Sequence, residues 1–256
     1  MDIRVYVATH KNYKMPLEKM YIPLHVGREG KNDLGYLGDN TGDNISIKNS
    51  NYCELTGLYW VYKNIDCEYI GLSHYRRYFT VKPLVNRVLS KDDKFSLIIK
   101  EEEALQLLKD ADIVLPSKRN YYIETVESHY KNAHHIEDLN KVREIIKEYH
   151  SEYTESFNEV MGGKKLYLYN MFIMKKKDFD EYCKWLFDIL FKLESQIDIS
   201  NYDNYQSRIF GFLSERLFNV WIKKHNLKIK EIPVINMEGI NWWNKGINFL
   251  KRKFIK

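Results

Sequence analysis

The stretch Gly71-Leu72-Ser73-His74-Tyr75-Arg76-Arg77-Tyr78-Phe79 sets two guanidiniums, an imidazole and three rings directly after the strand-like run Glu68-Tyr69-Ile70. A guanidinium is a planar fork of donors that matches phosphate oxygens. Tyrosine and phenylalanine beside it can brace the fork or stack on a ligand ring. In open α/β sheets ligands bind at the carboxyl ends of strands, which is where this motif falls. The chemistry fits an anionic, ring-containing ligand, and a nucleotide-sugar qualifies. A surface turn of arginine and tyrosine making ordinary hydrogen bonds would use the same residues.

Other polar groups could join it. Thr9-His10-Lys11 follows the strand-like run at residues 3–8 and could donate to a diphosphate, or simply be solvated. Between Gly38 and Asn49 short polar side chains crowd together, and Asp43, Asn44 and Asn49 either bond a ligand's hydroxyls or satisfy their own loop. Glu54 is a candidate acid, although Asn51 with Glu54 three residues on also has the form of a capping box. Glu215 and Arg216 lie in the segment Phe210–Trp221, whose apolar residues cover most of a helix circumference, so the pair is predicted to be buried. Burial raises a carboxyl toward the range of a general base, whereas a structural Glu–Arg ion pair would use the same two residues. On the polar run at residues 124–130, Glu127, His129 and Tyr130 offer either a ligand-binding helix or a solvated face. His134 and His135 are five and six residues beyond His129, not the i,i+4 spacing of helical zinc ligands, so no zinc site is expected there.

The elements that must position these groups alternate in type. Strands are predicted at 3–8, 68–73, 111–116, 166–174 and 228–235. Helices are predicted from 51, over 102–109, over 123–149 with a break near His134-His135, and over 178–194 and 203–225. Five of the 12 glycines fall between Gly27 and Gly42, where the backbone must bend. This alternation predicts a single α/β layered domain, and 256 residues suffice for a large core. A net charge of +5 permits anionic ligands without implying nucleic acid, and none is expected as a partner. Three cysteines without a CxxC pair suggest neither a disulfide framework nor a structural zinc, and a reducing cytosol is the natural compartment. With no signal-peptide pattern and no membrane-spanning apolar run, an intracellular soluble protein is expected. The basic tail at 236–256 puts Trp243, Ile247, Leu250 and Phe254 on one helical face and Lys245, Lys251 and Arg252 elsewhere. It reads as an interfacial helix drawn to anionic lipid, or as a docked terminal helix with a solvated basic side.

Taken together, Asp43-Asn44-Ile45-Ser46, Asn49, Tyr52-Cys53-Glu54-Leu55-Thr56, Tyr59-Trp60, Lys63-Asn64, Ile70-Gly71-Leu72 and His74-Tyr75-Arg76-Arg77-Tyr78-Phe79 resemble the family called domain of unknown function 4422. Downstream, Glu127-Ser128-His129-Tyr130, Tyr169-Asn170-Met171-Phe172-Ile173-Met174 and Ser214-Glu215-Arg216-Leu217 extend the similarity over residues 3–235. That family belongs to bacterial capsule, O-antigen and exopolysaccharide gene clusters, and its members are regarded as galactofuranosyltransferases. The resemblance implies a GT-A-like nucleotide-sugar-binding fold, a mixed central sheet flanked by helices, over residues 1–235. It also implies inverting transfer of galactofuranose from its UDP donor to a growing glycan on a polyprenyl diphosphate. The tail at 236–256, outside the similarity, would bring the enzyme to the cytoplasmic face of the inner membrane.

On this reading Glu215 is the expected general base and Glu54 the second candidate. Thr9, His10, Lys11, His74, Arg76 and Arg77 would face the donor diphosphate. Asp43, Asn44, Asn49 and Asn170 would orient sugar hydroxyls, and Glu127, His129 and Tyr130 would meet the acceptor. Many GT-A enzymes carry an Asp-x-Asp metal motif where this chain has Ser73-His74-Tyr75-Arg76-Arg77. Cationic side chains can take a metal's role, so metal-independent catalysis is expected, with manganese or magnesium as the alternative. Asp110-Ala111-Asp112 has the right spelling but precedes its strand and reads as a turn. Transfer of another UDP-hexose, a non-catalytic glycan- or nucleotide-binding role, and nucleotide-dependent transfer of a group other than a sugar stay open. The absence of Walker, kinase and GxGxxG motifs counts against the last.

Overall fold

A computed structural model describes residues 2–83 and 94–238. The sheet is built around β1 (Ile3–Thr9), which pairs in parallel with β2 (Tyr21–His25) on one side and β4 (Tyr69–His74) on the other. Beyond β2 lies the short β3 (Leu37–Gly38). Beyond β4 the sheet turns antiparallel through β9 (Phe172–Lys175), then β6 (Ile113–Pro116) and β10 (Ile229–Ile232). Successive side chains of a strand point to opposite faces. Accordingly Tyr6 and Ala8 enter one hydrophobic cluster, and Val5 and Val7 enter a second on the other face. Gly71 sits mid-strand because a β-carbon there would come within 2.9 Å of Val5 Cγ2 and 3.1 Å of the Phe172 carbonyl.

The larger cluster is covered by α2 (Leu55–Asn64), α5 (Ile136–Tyr149), α7 (Lys176–Glu194) and α8 (Ile209–His225), with α4 (Val126–Ala133) and α6 (Thr154–Gly162) packed among them. The opposite face is closed by α3 (Glu101–Leu108) and by β5 (Arg77–Phe79) paired with β11 (Val234–Asn236). The mixed sheet flanked by helices is the architecture expected from sequence.

Several boundaries differ from expectation, each for a local reason. The run 166–174 is not one strand. Lys165–Leu166 (β8) pairs with Arg119–Asn120 (β7) in a separate ribbon, and Tyr169 and Asn170 then adopt positive φ before β9 begins. The last strand splits at Pro233, which lacks an N–H, and β11 crosses to β5. The Asn51–Glu54 capping box does not form: Asn51 lies inside the short α1 (Asn49–Tyr52) and its amide donates to the Ser207 carbonyl. The break near His134-His135 is present between α4 and α5, with Thr125 capping α4 by accepting from the Ser128 N–H at 3.0 Å. Among the described residues no helix is long and apolar enough to cross a membrane. From residue 239 the basic tail, including Trp243, Ile247, Leu250 and Phe254, lies outside the described residues.

Candidate active site

A cavity of about 500 Å³ opens at the carboxyl ends of β1, β2 and β4. β4 reverses into β5 through a two-residue turn, Tyr75-Arg76, pairing His74 with Arg77. This hairpin presents His74, Arg76 and Arg77 to the cavity. Thr9 and His10 reach it from the end of β1, Asn49, Cys53 and Glu54 from around α1, and Arg208 and Glu215 from α8.

The turn Tyr169-Asn170 ties these groups together. Its φ values of 76° and 50° lie in the left-handed region, which is uncommon for tyrosine and marks a conformation held by its surroundings. The Tyr169 N–H donates to Glu215 Oε1 at 2.8 Å, and its carbonyl faces His74 Nε2 at 2.5 Å. A carbonyl only accepts, so Nε2 carries the proton. The Tyr169 ring lies 4.5 Å beneath the Arg77 guanidinium. The Asn170 amide donates to Glu54 Oε1 at 2.8 Å and to Ser214 Oγ at 2.9 Å. One two-residue turn therefore holds two carboxylates, an imidazole and a guanidinium.

Glu215 retains 21% exposure of its side chain, and burial pushes its carboxyl above the usual range. Arg216 at 3.2 Å and the Tyr169 N–H oppose that rise, while the Glu54 charge adds to it. The buried Arg216 also donates to the Phe212 carbonyl and lies over the Tyr130 ring at 5.2 Å. The ion pair and the cleft-facing acid that sequence offered as alternatives are both present in the same residue.

Burial pulls His74 below the ordinary imidazole range, offset in part by Glu54 and the Tyr169 carbonyl. His10 is lowered too, first by burial and then by Lys11, Lys31, Arg76 and Arg208. Both are therefore neutral hydrogen-bonding groups near pH 7. Arginine keeps its proton in proteins, so the charge resides on Arg76, Arg77 and Arg208, with Lys11 at the margin. Lys11 and Arg76 share Glu238, at 3.8 and 3.0 Å, and both lie over the Tyr75 ring.

Other expected ligands are differently employed. Thr9 is buried, and its hydroxyl closes on the Lys11 backbone at 2.7 Å. Asn49 borders the cavity, but its amide donates to the Cys53 carbonyl and Thr56 Oγ1. Asn170, only 2% exposed, holds Glu54 rather than a sugar hydroxyl. Asp43 is turned to the Tyr59 hydroxyl and Lys63, and Asn44 bonds Gly42 and Ser46 of its own loop. Neither lines the cavity. On α4, Glu127 pairs with Arg143 at 2.6 Å, His129 stacks on Tyr121 and Tyr130 is fully buried beneath Arg216. That helix supports the Glu215 side from behind instead of presenting these residues to the cavity. Asp112 accepts the Lys228 N–H ahead of β6, a structural turn. Among the described residues no group of three or more His, Cys, Asp or Glu side chains is arranged to hold a metal ion.

Tyr169, Cys53 and Arg208 were not singled out from sequence. Cys53 has φ 53° and ψ −131°, and its sulfur accepts from Arg208 Nε at 3.2 Å across 155 residues of chain. The signal for Arg208 is its position seven residues, two helical turns, before Glu215.

The model of a domain of unknown function, DUF4422, matches residues 4–226. The chain belongs to the DUF4422 family. A solved apo structure of WbbM, a bifunctional glycosyltransferase, is similar with a TM-score of 0.85 and 32% identity, covering 93% of this chain. The match covers 46% of the WbbM chain, so this DUF4422 protein spans about half of that neighbour's length. No match was found among curated proteins. The DUF4422 match encloses every cavity-lining residue, from Ala8 to Glu215.

Proposed function

We propose that this DUF4422 chain is a glycosyltransferase that moves a hexose, galactofuranose, from its UDP donor to a glycan acceptor with inversion. The observation that carries this reading is the convergence of Glu54 and Glu215 on one strained turn, facing guanidiniums at the carboxyl ends of parallel strands. Similarity to one half of a bifunctional glycosyltransferase supports the same class of chemistry.

In the proposed step Glu215 takes the proton of an acceptor hydroxyl. The freed oxygen bonds to the anomeric carbon from the face opposite UDP. The carbon–oxygen bond to the β-phosphate breaks, and its electron pair leaves on the phosphate. Arg77, fixed on the Tyr169 ring, and Arg76 stabilise that developing charge, and neutral His74 and His10 contribute hydrogen bonds. With cations in these positions the step needs no metal ion. The acceptor is a glycan carried on a polyprenyl diphosphate in capsular polysaccharide, O-antigen or exopolysaccharide synthesis. The basic tail provides peripheral attachment at the cytoplasmic face of the membrane. Glu54 is the alternative base, favoured by the Glu215–Arg216 ion pair, which could keep Glu215 in a purely structural role.

A panel of UDP-sugars, assayed for UDP release with and without chelator, tests the reading. Turnover of UDP-galactofuranose above the other hexoses, retained in chelator, is expected. Preference for a pyranose donor would reassign the substrate, and loss of activity restored by manganese would overturn the metal-free step. No UDP release from any donor would remove the enzyme reading.

A further inference from the structure

We infer that Arg208 is a diphosphate-binding residue that completes the anion site from α8, together with Arg76 and Arg77 of the hairpin; this rests on the UDP-sugar reading above. Arg208 immediately precedes α8, and seven residues separate it from Glu215. Such spacing returns to nearly the same face of a helix, so both line one wall of the cavity. The β4–β5 hairpin lines the same cavity with Arg76 and Arg77.

The guanidinium is held in place while its terminal nitrogens remain available. Its Nε donates to Cys53 Sγ at 3.2 Å, and its central carbon lies 5.8 Å from the Phe212 ring centroid. It makes no ion pair among the described residues, whereas Arg76 is already bridged by Glu238. The thiol suits this task because it orients the arginine without cancelling its charge. Burial pushes the Cys53 thiol up to about 11, so it stays neutral near pH 7. Cys53 owes its position to a left-handed backbone conformation and to Gly211 on α8. A β-carbon at Gly211 would come 3.3 Å from that sulfur, closer than most such contacts, so glycine lets helix and thiol meet.

The field around His10 supports the same conclusion independently. Its imidazole pKa is lowered first by burial and then by four cations, Lys11, Lys31, Arg76 and Arg208. Converging positive charge in a partly enclosed cleft raises the local concentration of anions and stabilises them once bound. A diphosphate lying between the hairpin and α8 would meet Arg76, Arg77 and Arg208 at once. It would also leave Glu215 on the α8 side, beyond the bond to be broken.

Calorimetric titration of the full chain with UDP and with uridine tests this. Arg208→Ala is expected to weaken UDP at least about tenfold, the scale of one lost charge-assisted hydrogen bond, and to shift uridine by less than roughly twofold. Arg208→Lys should recover part of the loss, since charge returns without the fork. If Arg208→Ala binds UDP as the wild type does while Arg77→Ala does not, Arg208 is no phosphate ligand and the donor reading survives. Equal weakening of UDP and uridine would place Arg208 at the nucleoside and overturn the inference. If the wild type binds no UDP, both readings fall.

Discussion

Among the described residues, two concavities of similar size differ in character. The cleft, about 500 Å³, is lined by guanidiniums, two carboxylates and the left-handed residues Cys53 and Tyr169. On the helical side a groove of about 550 Å³ runs between α2 and α7. Its rings pack on one another: Tyr153 stacks on Trp185 at 4.6 Å, and Tyr59 meets Phe187 edge-on at 5.0 Å. Asp188 accepts from His150 and Lys192, although among the described residues the Trp185 indole N–H has no hydrogen-bond partner. Equal volume therefore says little about function. What separates the two is that the cleft keeps charge and backbone strain available, while the groove spends its polar groups on its own fold.

Removing the cleft's base should give the largest effect. Glu215→Gln keeps one acceptor oxygen for the Tyr169 N–H and nearly the same shape, and Arg216 still donates to the Phe212 carbonyl, while proton abstraction is lost. Turnover is expected to fall by about 10²–10⁴-fold, the usual range for a general base. The base must be ionised, so activity falls as pH drops through its pKa, and that acid limb should lie above the ordinary carboxylate range. Glu54→Gln should move the limb down, because the Glu54 charge contributes to raising Glu215. Loss of turnover in Glu54→Gln, with Glu215→Gln still fast, would transfer the base role to Glu54.

Asn170 separates strain from hydrogen bonding. Asn170→Ala loses the amide that holds Glu54 and puts alanine, which tolerates the left-handed region less well than asparagine, at φ 50°. Asn170→Gly removes the strain but not the loss of the amide. If the amide positions Glu54, both variants should lower kcat about tenfold with donor KM unchanged, and the alanine variant should melt below the glycine variant. Recovery of kcat in the glycine variant would mean that backbone geometry alone matters.

These residues also mark the limits of the sequence. Arg76 and Arg77 were legible because they adjoin a strand whose apolar run is unmistakable, and Glu215 because it interrupts an apolar helix. For Asn170 the bond to Glu54 was not legible: Leu166–Met174 has strand composition throughout, and nothing local announces a left-handed turn held by Glu54, Glu215 and His74. Arg208 acquires its place only when folding brings Cys53 to it. β2 was missed because Pro23 and two half-buried positions blur its pattern. Contiguous chemistry could be read directly, but chemistry assembled from distant segments could not.

Glu238 tests whether the cleft's cations are held in check. Its carboxylate bridges Arg76 and Lys11 on the segment after β11, where the Met237 N–H donates to the Arg76 carbonyl. Glu238→Gln should release both cations and tighten UDP about two- to fivefold, a modest gain because the pairs are partly exposed. Weaker UDP binding instead would mean that Glu238 orients Arg76 for the ligand.

The smallest effect belongs to the groove. Partial burial pushes the Asp188 carboxyl up, but Lys192 and His150 outweigh it and hold the group below the usual range. A depressed carboxylate stabilises the fold above its unfolded pKa, and that contribution is lost as pH falls through the folded value. With Asp188 at 40% side-chain exposure, Asp188→Asn should cost less than about 1 kcal/mol near pH 7 and less still in acid. Turnover and UDP affinity should stay at wild-type values. Chemical denaturation at pH 7 and pH 3, run beside the UDP-release assay, checks both halves of this expectation. A loss of turnover in Asp188→Asn without loss of stability would show that the groove takes part in the reaction, and the contrast between the two concavities would fail.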